Sequence, residues 1–157
     1  MKIKLLQIGD TKTREIQTLV DNYHNRLKHY VQFEIVSIPD IKNTKNLSEK
    51  KQKSKEAELF QKQISTSDWV VLLDEKGKTL TSRGFAKFYQ EKMNAGIKTL
   101  CFLIGGPYGF SEDIYRRSNQ KIALSAMTFT HEMIRLVFIE QTYRAYSILN
   151  NLPYHHD

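Results

Sequence analysis

Two short runs of uninterrupted apolar residues constrain the fold of this chain more than any other feature. Residues 69–73 have the sequence WVVLL, and residues 99–104 have the sequence TLCFLI. Strands that are apolar on both faces are typical of a parallel sheet covered by helices on each side. Strand-like segments alternate with segments of helical apolar spacing along the chain. The sequence therefore predicts an α/β fold with a mainly parallel sheet flanked by helices.

The remaining segments predict three further strands and five helices. The further strands cover residues 2–8, 32–38 and 121–124. The helices cover residues 13–29, residues 47–64, a segment from Thr81 or Ser82 to Met93, a short segment after Ser111, and residues 133–150. We expect Asp74 to end the strand at 69–73 and Gly77 to mark a turn. Because neither a repeat nor a long linker divides the chain, residues 1–157 predict a single domain.

The composition argues against several classes of protein. No apolar run is long enough for a membrane span, and the N-terminal MKIKLLQIGD has too short an apolar core for a signal peptide. The single cysteine, Cys101, has no partner for an internal disulfide, and its apolar strand predicts an inert core thiol. We therefore expect a cytoplasmic protein that does not bind membranes.

The charge of the chain indicates a polyanionic partner. The formal net charge is +7, and the densest positive cluster falls in the predicted helix 47–64. The cluster consists of Lys50, Lys51, Lys53 and Lys55. Two interpretations remain open, because such a run can contact the phosphates of a nucleic acid or simply form a solvated helix face.

The segment 101–131 contains the candidate ligand site. After its apolar strand it has a glycine corner, GGPYG at 105–109, and then a corner of small and apolar residues at 124–129. Ligands of open α/β sheets bind beyond the carboxyl ends of strands, where Leu73, Gly105 and Leu124 are expected to lie. Apolar walls and free backbone groups would suit an adenine ring. The alternative interpretation is purely structural: the glycines form a tight turn, and Ser125 and Thr128 only cap the turn at 124–129.

Several catalytic motifs are missing from the sequence. It contains neither the GxxxxGK[ST] phosphate loop nor the GxSxG motif, and GGPYG does not match GxGxxG. The segment 131–135 differs from a zinc-binding HExxH because Arg135 stands at the second histidine position. We therefore expect no metal site. The residues alone leave two competing functions open. One is an RNA-binding module without catalysis, and the other is a nucleotide-dependent oxidoreductase that uses the glycine corner.

The last predicted helix suggests a second subunit. Apolar residues occupy nearly every face of the segment 133–150. A helix that packs on one side of a sheet needs only an apolar stripe. We therefore expect a homodimer that covers this helix, since a two-fold dimer is the commonest closed assembly.

Motifs along the whole chain resemble those of the RlmH family. They are MKIKLLQIG at 1–9, FLIGG at 102–106 with Pro107 and Gly109, LSAMTF at 124–129, His131, Arg135, EQTYRA at 140–145 and PYH at 153–155. The resemblance implies a SPOUT-class methyltransferase with a C-terminal trefoil knot, which acts as a homodimer with S-adenosylmethionine as methyl donor. It also implies the substrate: N3 of the pseudouridine at position 1915 of 23S rRNA, in the helix 69 loop, in the large subunit or the assembled ribosome.

The resemblance implies roles for particular residues. The cofactor would be held by Leu73, Gly105, Leu124, Ser125, Ala126, Met127, Thr128 and Phe129. We expect RNA contacts from His131, Arg135, Lys50 and Lys51. The tail residues Tyr154 and His155 would complete the RNA site across the dimer. The chain departs from the family pattern at Thr130, where proline is expected, and at His156, where lysine or arginine is usual.

Methylation at N3 of a pyrimidine requires that the N3 proton leave, so a general base would assist. The candidate bases are His131, Tyr154 and His155. A cation such as Arg135 or Arg144 could instead stabilise the deprotonated ring. For Arg144 the competing interpretation is an ion pair with Glu140, four residues earlier on the same helix. We take Tyr154, His155 and Arg144 as the candidate catalytic residues.

Overall fold

The computed structural model describes residues 1–155, and in this part of the chain strands and helices alternate. The strands are β1 (Lys2–Ile8), β2 (Gln32–Ile38), β3 (Trp69–Thr79), β4 (Thr99–Ile104) and β5 (Gln120–Ala123). The helices are α1 (Arg14–Leu27), α2 (Glu49–Gln63), α3 (Ser82–Asn94), α4 (Glu112–Arg117) and α5 (His131–Leu149), with a 3-10 helix at Thr44–Asn46. His156, whose departure from the family pattern was noted above, lies outside the described residues.

The strands form one parallel sheet in the order β2-β1-β4-β3-β5. One apolar core contains side chains of α1, α3 and α5 on one face of the sheet, and a second contains side chains of α2 and α4 on the other face. The two continuously apolar strands, β3 and β4, are neighbours in the sheet interior. The predicted α/β fold with a parallel sheet flanked by helices is confirmed.

Side-chain caps set the starts of four helices. Ser48, Thr81, Ser111 and Thr130 each accept a hydrogen bond from a backbone N–H in the first turn of α2, α3, α4 and α5, respectively. Such a cap stabilises a helix by about 1 kcal/mol. Consequently α2 begins at Glu49 rather than at residue 47, and α5 begins at His131 rather than at residue 133.

The predicted end of β3 was wrong. The strand continues past Asp74, and a register irregularity lets both Leu73 and Lys78 pair with Ile122 of β5. Gly77 lies inside this strand instead of at a turn, and a Cβ there would lie 2.5 Å from the backbone nitrogen of Ile122. A glycine in a strand allows such a close backbone approach, so Gly77 permits β3 to follow β5.

Helix α5 is covered largely by its own chain. It packs between α1 and α3 over the sheet, and Phe138, Ile139, Ala145 and Tyr146 are buried. These contacts account for part of the apolar composition of α5, whereas Leu136, Val137 and Ile148 remain only partly buried within one chain. The homodimer that covers this helix therefore stays a prediction.

Candidate functional site

Three strands bring the predicted ligand-binding loops to one edge of the sheet. Leu73 of β3 is in register with Ile104 of β4 on one side and with Ile122 of β5 on the other. The segments that begin at Gly105 and Leu124 therefore leave the sheet beside Leu73. This register explains why residues distant in sequence form one site.

A cavity of about 410 Å³ lies at this edge of the sheet. Of the residues expected to hold a cofactor, it is lined by Leu73, Gly105, Leu124, Ser125, Met127, Thr128 and Phe129. Ala126 is not among its lining residues, whereas His131 is. Lining residues that we did not predict include Asp74, Glu75, Lys76, Tyr108, Tyr115 and Ile134.

The glycine corner is both a tight turn and a wall of the cavity. The N–H of Gly109 donates to the carbonyl oxygen of Gly106 at 3.0 Å, and Gly109 has φ +75°. Pro107 stands at the second position of this turn, where its fixed φ is favourable. A Cβ on Gly105 would lie 3.2 Å from the Phe110 ring, so larger residues at 105 would press on the turn itself.

The second corner is held by short local hydrogen bonds. The hydroxyl of Ser125 accepts a hydrogen bond from the N–H of Met127 at 2.9 Å, which is the structural role we had left open for Ser125. Thr130, which replaces the expected proline, accepts from the N–H of Met133 at 3.3 Å and starts α5. Met127 is 79% exposed, so this corner forms the open side of the cavity.

Asp74 places a carboxylate in the cavity wall. Tyr115 donates to one carboxylate oxygen at 2.5 Å, and the N–H of Lys76 donates to the other at 2.8 Å. Burial, followed by the hydrogen bond to Asp74, raises the pKa of Tyr115, so its phenol remains a donor. The position of Asp74 directly after an apolar strand was a signal that could have identified it. Nothing in the sequence indicated Tyr115.

Arg135, which we expected to contact RNA, is buried within the single chain. It is only 3% exposed and donates to the carbonyl oxygen of Ile8 at 2.6 Å and to the hydroxyl of Thr11 at 3.1 Å. Burial also lowers the pKa of its guanidinium. Glu132, one turn away, accepts from the N–H of Lys12 at 2.7 Å. These side chains fasten the segment after β1 to the start of α5.

The C-terminal tail folds back onto α5 and α1. Tyr154 donates to the carboxylate of Glu140 at 3.1 Å, and its hydroxyl lies 3.1 Å from that of Tyr23. Arg144 donates to the same Glu140 oxygen from Nη2 at 2.6 Å and from Nε at 3.0 Å, which confirms the ion pair considered above. Nη1 of Arg144 lies 3.4 Å from Nδ1 of His155. The three candidate catalytic residues are therefore neighbours.

This tail cluster favours a neutral phenol beside a cation. Burial raises the pKa of Tyr154, and the hydrogen bond with Tyr23 and the charge of Glu140 add to the effect. Burial lowers the pKa of Arg144, but the hydrogen bond and the charge of Glu140 outweigh it and raise the pKa overall. At neutral pH Tyr154 is therefore a hydrogen-bond donor, and Arg144 keeps its positive charge.

Within one chain the tail cluster lies far from the cavity. His131 lines the cavity, and Arg144 lies on the same helix. At the rise of an α-helix, the two residues are separated by about 20 Å. A single chain therefore does not bring Tyr154, His155 or Arg144 to its own cavity.

The lysine cluster lies on α2, and this helix passes behind the glycine corner. Lys50, Lys51 and Lys55 are exposed. On the same helix, Glu56 is buried against Gly106. The lysines thus face solvent, and both interpretations, phosphate contact and a solvated helix face, stay predictions.

Within residues 1–155, no group of three or more His, Cys, Asp or Glu side chains could hold a metal ion. No helix there is sufficiently long and apolar to cross a membrane.

Known proteins match the chain over its full length. The family described as "Predicted SPOUT methyltransferase" matches residues 1–155. Ribosomal RNA large subunit methyltransferase H of Flavobacterium johnsoniae is 56% identical, with 99% of each chain covered. The proteins of that name from Parabacteroides distasonis and Bacteroides fragilis are 55% and 47% identical, with 100% of each chain covered. The chain therefore belongs to the SPOUT methyltransferases and, within them, to the RlmH family.

Proposed function

We propose that this protein transfers a methyl group from S-adenosylmethionine to N3 of pseudouridine 1915 in the helix 69 loop of 23S rRNA. The cavity at the carboxyl ends of β3, β4 and β5 is the observation on which the proposal rests. Membership of a methyltransferase family supports methyl transfer as the reaction, and the names of the relatives support large-subunit rRNA as the substrate. Because bacterial ribosomes are cytoplasmic, this substrate also implies a cytoplasmic protein.

The residues of the cavity fit S-adenosylmethionine. The volume of the cavity falls within the usual range for small-molecule sites, about 300 to 1,000 Å³. Leu73, Leu124 and Phe129 would give apolar walls for the adenine, and the segment 124–129 would offer backbone donors and acceptors. The carboxylate of Asp74 would favour a cationic ligand. When bound, the cofactor supplies an electrophilic methyl group on a positively charged sulfur.

The tail cluster would bind the pseudouridine that accepts the methyl group and assist the loss of its N3 proton. Because the pKa of Tyr154 is raised, its phenol suits hydrogen bonding rather than proton removal. His155 and His131 are then the better candidates for the base that removes the N3 proton. Arg144 would stabilise the negative charge that develops on the deprotonated pyrimidine.

The proposal requires a homodimer, since the cavity and the tail are separated within one chain. Large exposed apolar side chains line the cavity, namely Tyr108, Met127 and Phe129, and Met133 is exposed beside the lining residue Ile134. A second copy that covers this surface and the first turns of α5 could bring its tail to the cavity. The net charge of +7 supports an RNA substrate on the resulting surface.

Methyl transfer to ribosomes tests the function. Large subunits and assembled ribosomes from a strain without this methylation would be incubated with the protein and radiolabelled S-adenosylmethionine. We expect label in 23S rRNA and a reverse-transcription stop at position 1915, because an N3 methyl group blocks base pairing. Comparing the two particles identifies the substrate assembly.

Three results would contradict the proposal or a part of it. Binding of a dinucleotide but not of S-adenosylmethionine would favour an oxidoreductase, and RNA binding without either ligand would favour a non-enzymatic module. Equal labelling of ribosomes that carry uridine at position 1915 would exclude the requirement for pseudouridine.

A further inference from the structure

A buried carboxylate lies directly behind the glycine corner. Glu56 of α2 is only 3% exposed and does not line the cavity, so it approaches the corner from the opposite side. A Cβ built on Gly106 would overlap both of its carboxylate oxygens. The side chain thus contacts the backbone that forms the cavity wall and not the cavity itself.

Glu56 contacts both Gln52 and the backbone of the glycine corner. Gln52, one turn earlier on α2, donates to Oε1 at 3.0 Å, and the carboxylate lies directly against Gly106. Burial raises the pKa of Glu56, while the interactions with Gln52 and with the Gly106 backbone oppose that effect. A buried carboxyl group is unfavourable unless its oxygens have polar partners. The Glu56 carboxylate therefore favours the conformation of the glycine corner in which Gly106 lies against it.

The position of Gly106 determines the rest of the corner. Its carbonyl oxygen accepts the hydrogen bond from Gly109 that closes the turn, and its neighbours Gly105 and Pro107 line the cavity. A contact that fixes the amide of Gly106 therefore also fixes Gly105 and Pro107 in the cavity wall. Sites whose backbone is held in the bound geometry before ligand arrival lose less entropy on binding.

We infer that Glu56 is a positioning residue for the cofactor site, because its carboxylate holds the Gly106 amide and preforms the glycine corner for S-adenosylmethionine. The inference rests on the proposed function, since it assumes that this cavity binds the cofactor. Glu56 touches neither the cofactor nor the reacting atoms. It acts through Gly106.

Cofactor affinity in Glu56 variants tests the inference. We expect Glu56→Ala to weaken S-adenosylmethionine binding by about tenfold, the scale of coupling between groups that act through a shared backbone segment. Glu56→Gln keeps one acceptor oxygen for Gly106 and should fall between this variant and wild type. Glu58→Ala is the matched control, because it removes a carboxylate from an exposed position of the same helix. Calorimetry gives the affinities, and thermal unfolding gives the folded stability of each variant.

A double variant gives a readout that a merely stabilising role would not change. Gly106→Ala should clash with the Glu56 carboxylate and weaken binding in the otherwise wild-type protein. In the Glu56→Ala background the carboxylate is absent, so the added methyl group should cause a much smaller further loss. If the loss of affinity in the double variant equals the sum of the losses in the two single variants, the inference is overturned.

The outcomes separate the inference from the function on which it rests. A wild-type protein that does not bind S-adenosylmethionine would overturn the proposed function. Wild-type binding that is unchanged in Glu56→Ala, with only the unfolding temperature lowered, would overturn the positioning role alone. If Glu56→Ala does not fold, the decision rests on Glu56→Gln and Gly106→Ala, and unchanged affinity in both would count against the inference.

Discussion

Tyr154 is the single residue that connects most parts of the tail cluster. Its hydroxyl contacts Glu140 and Tyr23, its ring packs edge-on against Tyr143 with centroids 4.8 Å apart, and the Arg144 guanidinium lies over it at 4.7 Å. The tail is therefore ordered by specific contacts within its own chain. Burial raises the pKa of Tyr154, and the contacts with Tyr23 and Glu140 add to the effect.

We predict that Tyr154→Phe, which removes a hydrogen-bond donor, lowers methylation by about tenfold. His155→Ala removes a candidate general base and should lower methylation by about 100-fold or more. Neither residue lies at the cavity of its own chain, so affinity for S-adenosylmethionine should stay near the wild-type value. Methyl transfer assays and calorimetry give the two quantities. Tyr30→Phe is a suitable control, because Tyr30 also packs against Tyr143 but does not contact Glu140. Full methylation by both tail variants would exclude the tail from the reaction.

At the scale of elements, α5 is linked to α1 through its first turn. The carboxylate of Glu132 accepts from the N–H groups of Lys12 and Thr13, and Thr13 is the N-cap residue of α1. These hydrogen bonds lower the pKa of Glu132. The link matters for function because His131 and Ile134 of the same turn line the cavity.

Glu132→Gln should therefore lower the unfolding temperature at neutral pH. Because the folded-state pKa of Glu132 is below its usual value of 4.5, the carboxylate stabilises the fold fully above pH 4.5 and loses this contribution as the pH falls through the folded-state pKa. Thermal unfolding at several pH values should show a difference from wild type that shrinks in acid. A difference of constant size from pH 7 to pH 3 would contradict this role.

The exposed lysines of α2 provide a second prediction for an element. Lys50→Ala combined with Lys51→Ala should weaken binding to helix 69 RNA and reduce its salt dependence by about 0.7 to 0.9 per lost phosphate contact. Lys87→Ala combined with Lys98→Ala removes the same charge from exposed positions elsewhere and serves as the control. Binding measured over a range of salt gives both slopes. Equal slopes in the two variants would favour the solvated helix face.

At the scale of the molecule, the proposed homodimer would bring the tail of one chain to the cavity of the other. Met133 is exposed in the first turn of α5, whereas Leu19 is an exposed apolar residue on α1. We predict that Met133→Glu converts the dimer to monomer and abolishes methylation, because a buried unpaired charge strongly disfavours an interface. Leu19→Glu should leave the dimer intact. Sedimentation measures the assembly, and a monomeric wild-type protein with full activity would contradict the two-chain site.

The alternation of apolar patterns along the sequence was sufficient to predict the fold class and most of the strands and helices. The bounds of β1, β2 and β4 match their predicted residues, because strand patterns and turn residues act locally. The family motifs likewise identified most residues of the cavity wall. Both kinds of signal depend on residues that are neighbours in sequence.

Tertiary structure decided what depends on distant contacts. The continuation of β3 beyond Asp74 follows from its pairing with β5, and the burial of Arg135 follows from its bonds to the segment after β1. The separation of the tail from the cavity and the contact between Glu56 and Gly106 also join residues that are far apart in the chain. No local pattern encodes such contacts, because they arise only when register and helix packing place distant backbone groups together.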